Sequence, residues 1–289
     1  MSRPIVAVHA GAGTFGEDLR EQLEACRDAL ATALRAAATA LEDGEGAVAA
    51  VRSAVMVMES FPLFNAGTGA ALCADGSVEL SAALMRGSDR AAGAVAAIAR
   101  TRHPILAAEG LLDAPQVLMI GRHADEYAAA RGLEQCEPYE FVTERQLRRL
   151  AEHAASEHGT VGAVCLGPDG SLAAATSTGG RTGQLRGRVG DSPLIGAGTW
   201  ADRRLATSCT GEGEAFIRAG AARLLSTLVE RGEALDAAAQ TVLEEVRSCG
   251  GRGGLIAVDA AGNVTLPFTT AAMPRGVWRA GEPTIIELG

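Results

Sequence analysis

Residues 159–180, GTVGAVCLGPDGSLAAATSTGG, decide how this chain is read. Two apolar runs of strand length, 160–166 and 172–177, flank Gly167-Pro168-Asp169-Gly170. Proline presets one turn dihedral, Asp caps the turn locally, and Gly supplies a positive φ. The stretch therefore predicts a β-hairpin. Thr160 opens it, and Thr176, Ser177 and Thr178 close it. A β-branched residue at a strand start is ordinarily there for packing. A hairpin that gathers hydroxyls at one end, immediately after a glycine, also has a chemical reading.

Outward from the hairpin, residues 4–9 predict a buried strand ending in the turn Gly11-Ala12-Gly13. Leu19, Leu23, Cys26, Leu30, Leu34, Ala37 and Leu41 recur at helical spacing on one face. Asp43 offers an N-cap for a second helix with Val48, Val51, Val55 and Met58 inward. Asp75-Gly76 marks a hairpin within 71–84, and 91–98 predicts another strand. Short helices follow at 104–112 and 123–131, with a strand at 117–120 between them. Thr143 and Gln146 have capping-box spacing at the head of a helix over 143–157, with Leu147, Leu150 and Ala154 sharing a face. Helices are expected at 214–229 and 235–246, then a second hairpin from 254–259 to 264–268. Helices and strands fall in blocks, which fits an α+β class with two antiparallel sheets covered by helices.

The bulk properties narrow the function. The chain has 289 residues, 47% hydrophobic and 21% charged, which is the composition of a folded globular protein. Its net charge of −9 argues against a nucleic-acid surface. Arg145, Arg148 and Arg149 are expected to form a solvated helix face. No signal segment and no membrane span are expected. Six scattered cysteines without a CxxC pair suggest a reduced, cytoplasmic chain. With only five histidines, the chain argues against a His-rich metal site.

Several residues could carry chemistry. A threonine hydroxyl is a poor nucleophile without an adjacent base. His158 is close in sequence, but it lies on the other side of the Gly159–Thr160 bond. Cleavage of that bond would free an α-amine with an ordinary pKa of about 7.7–8.0. That amine could then serve as the base for its own hydroxyl. Gly159 tolerates the backbone distortion that an N→O acyl shift demands. Thr178, at the far end of the hairpin, could equally be a strand-end hydroxyl capping Gly179-Gly180. Arg188 and Asp191 could grip the carboxylate and ammonium of one small zwitterion, or form a surface ion pair. Thr210 and Gly211 could supply oxyanion donors, or Thr210 could cap the following helix. Gly213 would let its carbonyl approach a substrate ammonium. Glu212 and Glu214 are expected to be first-turn charges matched to the helix dipole.

Four ordered motifs, PIVAVHAGAG, PLFNAG, GTVGAV with ATSTGG, and GRVGDSP with SCTGEGE, resemble the plant-type L-asparaginase or isoaspartyl peptidase family of N-terminal-nucleophile hydrolases. The resemblance spans nearly the whole chain. It implies a four-layer αββα sandwich and a single domain over residues 1–289. It also implies self-cleavage into an α subunit, 1–159, and a β subunit, 160–289. In the family Thr160 is the nucleophile, Thr178 contacts it, and Asn65 orients it. Thr210 and Gly211 form the oxyanion hole, while Arg188, Asp191 and Gly213 bind the aspartyl head group. The substrates implied are β-aspartyl dipeptides and L-asparagine, with no organic cofactor and a dimer of cleaved αβ units. Carbonyls of Met58, Glu59, Phe61, Phe64, Ala66 and Thr68 would surround a sodium ion. A glycosylasparaginase-like amidase and an uncleaved binding module of the same fold are the alternatives. The chain departs from the family pattern at Ala10 and in the loop carrying Arg181, Gly183, Gln184 and Arg186.

Overall fold

Small apolar residues punctuated by glycine let layers of this molecule approach closely, and four layers result. The computed structural model describes residues 3–13, 22–152 and 159–289. The chain opens with β1 (Ile5–His9), α1 (Leu23–Glu42), α2 (Gly46–Glu59), β2 (Leu80–Arg86) and β3 (Ala91–Ile98). It continues with α3 (Pro104–Glu109), β4 (Leu118–Ile120), α4 (Gly121–Ala130) and α5 (Glu144–Ala151). The central hairpin is β5 (Val161–Leu166) and β6 (Leu172–Thr178), followed by β7 (Thr199–Ala201) and β8 (Leu205–Gly211). Then come α6 (Gly213–Ala219), α7 (Ala221–Glu230), α8 (Leu235–Ser248), β9 (Gly253–Asp259), β10 (Val264–Thr265), β11 (Arg275–Arg279) and β12 (Ile285–Glu287).

The larger sheet has the order β12-β11-β1-β5-β6-β2-β3-β4, and the smaller one β10-β9-β8-β7. Both are antiparallel apart from one pair. At the edge, β4 runs parallel to β3. The expectation of purely antiparallel sheets fails there because α3 crosses over between the two strands, and a crossover reverses the chain twice.

Alternation along the strands builds three cores. One face of the large sheet, with Val6, Val8, Leu84 and Cys165, packs on α1 and α2 through Leu30, Leu34, Val51 and Val55. The opposite face, with Ile5, Ala7, Val164 and Leu172, meets Ala206, Ile256 and Val258 of the small sheet. The outer face of the small sheet, with Leu255 and Ala257, is covered by α6–α8 through Phe216, Leu225 and Val242. Strands buried on both faces read as continuous apolar runs, which is why 253–259 shows no polar alternation. Each fully buried Leu, Ile or Val contributes about 1.5–3 kcal/mol.

Several sequence expectations need correction. Asp43 ends α1 rather than starting α2, because Gly44 and Gly46 at φ 81° and 87° lengthen the turn. Glu45 precedes α2 and its side chain caps nothing. The helix expected over 214–229 breaks at Gly220, whose left-handed φ of 57° closes α6 and begins α7. Thr143 does cap α5, accepting from the Gln146 N–H at 3.3 Å. Its expected inward face forms only in part: Leu150 packs against the core, but Leu147 is exposed, while Gln146 turns in and donates to the Gly69 carbonyl at 2.8 Å. Arg145 is not simply solvated, since it donates to the Leu63 carbonyl at 3.0 Å. Leu19, Ala154 and His158 lie outside the described residues. Among the described residues, no helix is long and apolar enough to cross a membrane. None of the six cysteines is in a disulfide, and all but Cys249 are buried.

Candidate active site

Thr160 sits immediately before β5, which is wedged between β1 and β6 in the large sheet. Hairpin register places Val161 opposite Ser177, so Thr160 and Thr178 meet at the open end. The Thr160 hydroxyl donates to Thr178 Oγ1 at 3.2 Å. Thr178 in turn donates to the Gly159 carbonyl at 3.0 Å and accepts from the Gly180 N–H at 3.0 Å. Asn65 Nδ2 donates to the same Gly159 carbonyl at 2.8 Å and to the Gly180 carbonyl at 2.7 Å. Asn65 Oδ1 accepts from the Ala71 N–H, which fixes the amide orientation. The carbonyl preceding Thr160 is therefore polarised by two donors, beside the hydroxyl. Gly159 is required by crowding rather than by a left-handed backbone: a Cβ there would lie 2.7 Å from Asn65 Cβ. Across the junction, a Cβ on Gly11 would lie 2.9 Å from Gly159 Cα.

The same pocket is lined by Arg188, Asp191, Gly211 and Arg181, and its free volume is only about 10 Å³. Asp191 is buried, and its Oδ2 has no partner among the described residues. Burial pushes its carboxyl up to about 7. Arg188 is held by Glu214 in a bidentate pair, Nε to Oε1 at 2.9 Å and Nη2 to Oε2 at 3.0 Å. That pair holds Glu214 down at about 2. Arg181 approaches the same carboxylate at 3.7 Å. Glu214 is thus more than a dipole-matching charge. Sequence reasoning paired Arg188 only with Asp191 and missed the grip from the next helix. A Cβ on Gly213 would lie 2.7 Å from Asp191 Oδ1 and 3.2 Å from Arg188 Nη2, so glycine keeps the space between those two groups open.

Thr210, one residue before the end of β8, is fully buried, and its Oγ1 accepts from the Ala12 N–H at 3.0 Å. That bond occupies a lone pair and leaves the hydroxyl proton free to be donated. Thr210 does not cap α6: the residue before that helix is Glu212, and no side chain caps it. Gly211 has φ 144°, and a Cβ would lie 2.4 Å from the Arg252 carbonyl. Beneath the nucleophile runs a hydroxyl chain that the sequence did not reveal. His9 Nε2 is 2.9 Å from Ser208 Oγ, Ser208 Oγ is 2.8 Å from Thr176 Oγ1, and the Thr199 hydroxyl donates to Thr176 at 2.6 Å. All four residues are fully buried. Burial drives His9 down to about 3, although the Thr160 backbone favours its protonation. His9 is therefore a neutral hydrogen-bonding group at neutral pH.

A family model described as Asparaginase matches residues 2–286. The chain belongs to this Asparaginase family. It is 42% identical to the isoaspartyl peptidase of Escherichia coli K12 over 305 residues, covering 98% of this chain and 95% of that protein. It is 38% identical to the isoaspartyl peptidase/L-asparaginase of Rattus norvegicus, covering 96% and 87%. The human isoaspartyl peptidase/L-asparaginase is 36% identical over 99% of this chain and 96% of its own length. The two-sheet sandwich agrees with the N-terminal-nucleophile hydrolase fold of the Asparaginase family.

The departures from the Asparaginase pattern now have places. Ala10 donates its N–H to the Pro274 carbonyl at 2.8 Å. Gln184 is buried; its Oε1 accepts from the Arg181 N–H at 2.9 Å and lies 3.4 Å from Arg188 Nη1. Gly183, at φ 73°, turns the loop in open space. Arg186 stays outside the pocket, beside Asp75 and Glu79 at 3.6 and 3.9 Å. In the loop after α2, the Glu59 carbonyl accepts from the Thr68 N–H and the Phe61 carbonyl from the Phe64 N–H. The carbonyls of Phe64, Ala66 and Thr68 accept no hydrogen bond from described residues. Among the described residues, no group of three His, Cys, Asp or Glu side chains is placed to hold a metal ion.

Proposed function

We propose that this chain is a self-maturing amidohydrolase of β-aspartyl dipeptides and, more weakly, L-asparagine. The observation that carries the reading is the Gly159 carbonyl, held by Asn65 and Thr178 beside the Thr160 hydroxyl. Two preorganised donors stabilise the negative charge that forms on this oxygen when Thr160 attacks. The resulting ester is then hydrolysed, leaving an α chain of 1–159 and a β chain beginning at Thr160. The pocket beside the uncut bond is small, about 10 Å³, as expected of a site that becomes fully active only after this cut.

In the mature site the Thr160 amine takes the proton of its own hydroxyl. Thr160 Oγ1 attacks the side-chain carbonyl of the aspartyl unit, with Thr178 as its hydrogen-bond partner and Asn65 holding the loop. The Thr210 hydroxyl and Gly211 N–H receive the oxyanion. The amine returns its proton to the leaving group, and water cleaves the aspartyl ester. Arg188 binds the α-carboxylate while Glu214 keeps its guanidinium in plane. Asp191 Oδ2, with the Gly213 carbonyl, accepts from the α-ammonium. A buried, unmatched carboxylate is a strong reason to expect a cationic partner. The names of the relatives from E. coli, rat and human support this substrate class.

The reading extends to a sodium ion, two cleaved units per assembly and a cytoplasmic location. The unmatched carbonyls of Phe64, Ala66 and Thr68 suit a hard cation, with Met58, Glu59 and Phe61 completing the loop. Exposed Val117, just before the edge strand β4, and Leu118 and Ile120 on it suit a second copy. Unbonded cysteines suit a reducing compartment. The test of substrate is an assay of mature protein against β-Asp-Leu, L-asparagine and α-Asp-Leu. Release from the first two only is expected. Robust cleavage of α-Asp-Leu would contradict the two-ended grip by Arg188 and Asp191.

A further inference from the structure

A second cleft opens far from the nucleophile, where the turn between β2 and β3 meets the turn between β7 and β8, with α7 as its third wall. It encloses about 610 Å³ and shares no lining residue with the Thr160 pocket. That volume is in the range of small-molecule sites. Its floor is built tightly. A Cβ on Gly87 would lie 2.4 Å from the Asp202 carbonyl and 2.8 Å from the Leu172 carbonyl, so only glycine lets the two turns meet.

Charge in this cleft is unbalanced. Arg90, Arg203, Arg204 and Arg223 line it, with Asp89, Asp202 and Glu230 as its acids. Asp89 pairs outside the cleft, and Asp202 is held mainly by neutral donors, with Arg204 3.7 Å away. Asp89 is bidentate to Arg86 and accepts from the Ala91 N–H. Asp202 Oδ1 accepts from the N–H groups of Arg204 and Leu205, and Oδ2 from Ser226 and Trp200 Nε1. Glu230 alone faces two arginines, Arg204 at 2.5 Å and Arg223 at 3.8 Å. Arg203 Nε donates to the Ser88 carbonyl, which anchors it at the cleft wall. Among the described residues, neither Arg90 nor Arg203 has a carboxylate partner. In a chain of net charge −9, four arginines against three carboxylates leave this cleft with a local excess of positive charge, carried by Arg90 and Arg203. Guanidinium forks match phosphate oxygens in geometry and charge.

We propose that this cleft binds a small organic phosphate, its phosphoryl oxygens held by Arg90 and Arg203 and flanked by Arg204 and Arg223. Occupancy has a built-in reporter. The Arg223 guanidinium lies 5.0 Å from the Trp200 ring, and Trp200 is hydrogen-bonded to Asp202. The chain has only one other tryptophan, Trp278.

The experiment titrates glycerol phosphate into the purified protein at constant ionic strength, read by heat and by tryptophan emission. Inorganic phosphate, succinate and chloride are run in parallel. One saturable site is expected, with Kd below about 1 mM, weakened about tenfold or more in Arg90→Ala/Arg203→Ala and unchanged in Arg186→Ala. Thermal melting of each variant checks that it is folded. Should the double variant fail to fold, Arg203→Lys keeps the charge, removes the fork and is expected to weaken binding measurably. Absence of saturable binding, equal binding by the variants, or equal binding of succinate overturns the proposal. Glycerol phosphate binding no tighter than inorganic phosphate overturns its organic part.

Discussion

Asp191 and His9 are both buried, and their titrations pull stability in opposite directions. Asp191 holds its proton up to about pH 7 when folded, against an ordinary value of 3.8. Its contribution is favourable at low pH and is lost as pH rises from about 3.8 to about 7. His9 is lowered from 6.5 to about 3, so its contribution is present above 6.5 and lost as pH falls toward 3. Each changes stability by at most about 1.36 kcal/mol per pH unit, and between about 4 and 6.5 they offset. Asp191→Asn should leave the His9 slope unopposed and raise stability at pH 8. Urea unfolding at several pH values, in the uncleaved Thr160→Ala background, measures this; parallel profiles with and without the Asn would contradict it. The same substitution in mature protein should lower kcat/KM for β-Asp-Leu by about 1.5–3 kcal/mol, since a charge-assisted contact is lost. With Asp191 intact, KM should rise as pH falls below about 7. Glu214→Gln should raise KM severalfold with kcat nearly unchanged, because Arg188 loses its bidentate partner while the nucleophile is untouched. A fall confined to kcat would assign Glu214 a different role.

At the scale of elements, the central hairpin is pinned to the small sheet through one glycine. His9 on β1 and Gly162 on β5 are paired, and a Cβ on Gly162 would lie 2.0 Å from Ser208 Oγ and 2.4 Å from His9 Nε2. Gly162→Ala should therefore separate the layers at a cost of about 1–3 kcal/mol, or roughly 2–4 °C of Tm per kcal/mol. An unchanged Tm would mean that the layers yield there without cost. This contact marks the limit of what the sequence makes legible. Hairpins at Asp75-Gly76 and Gly167–Gly170 are written in local turn chemistry, and they form where that chemistry places them. The Thr160–Thr178 meeting follows from hairpin register, and Arg188 with Asp191 sits on one short loop. The His9–Ser208 bond joins residues 199 positions apart, and no spacing rule reaches that far. Glu214 was visible as a helix-start acid, but its partner depends on how β8 delivers α6 beside the Arg188 loop. The break at Gly220 and the late start of α2 turn on glycine dihedrals that composition does not specify.

For the whole molecule, the proposed cut has a topological consequence. In the large sheet β5 and β6, from the proposed β chain, lie between β1 and β2 of the α chain, while β11 and β12 flank β1 from the other side. The two pieces interleave within one sheet, so they should co-elute as a single particle after cleavage and separate only in denaturant. Elution of free α chain under native conditions would contradict the interleaving. The central claim is that Thr160 becomes an N-terminus and then the nucleophile. Intact mass of the purified 29.5 kDa chain after incubation, compared with Thr160→Ala, tests it most directly. Two products are expected from the wild type, the smaller beginning Thr-Val-Gly-Ala-Val, and one inactive chain from the variant. An uncut wild-type chain that still hydrolyses β-Asp-Leu, or a cut at any other bond, would contradict the account.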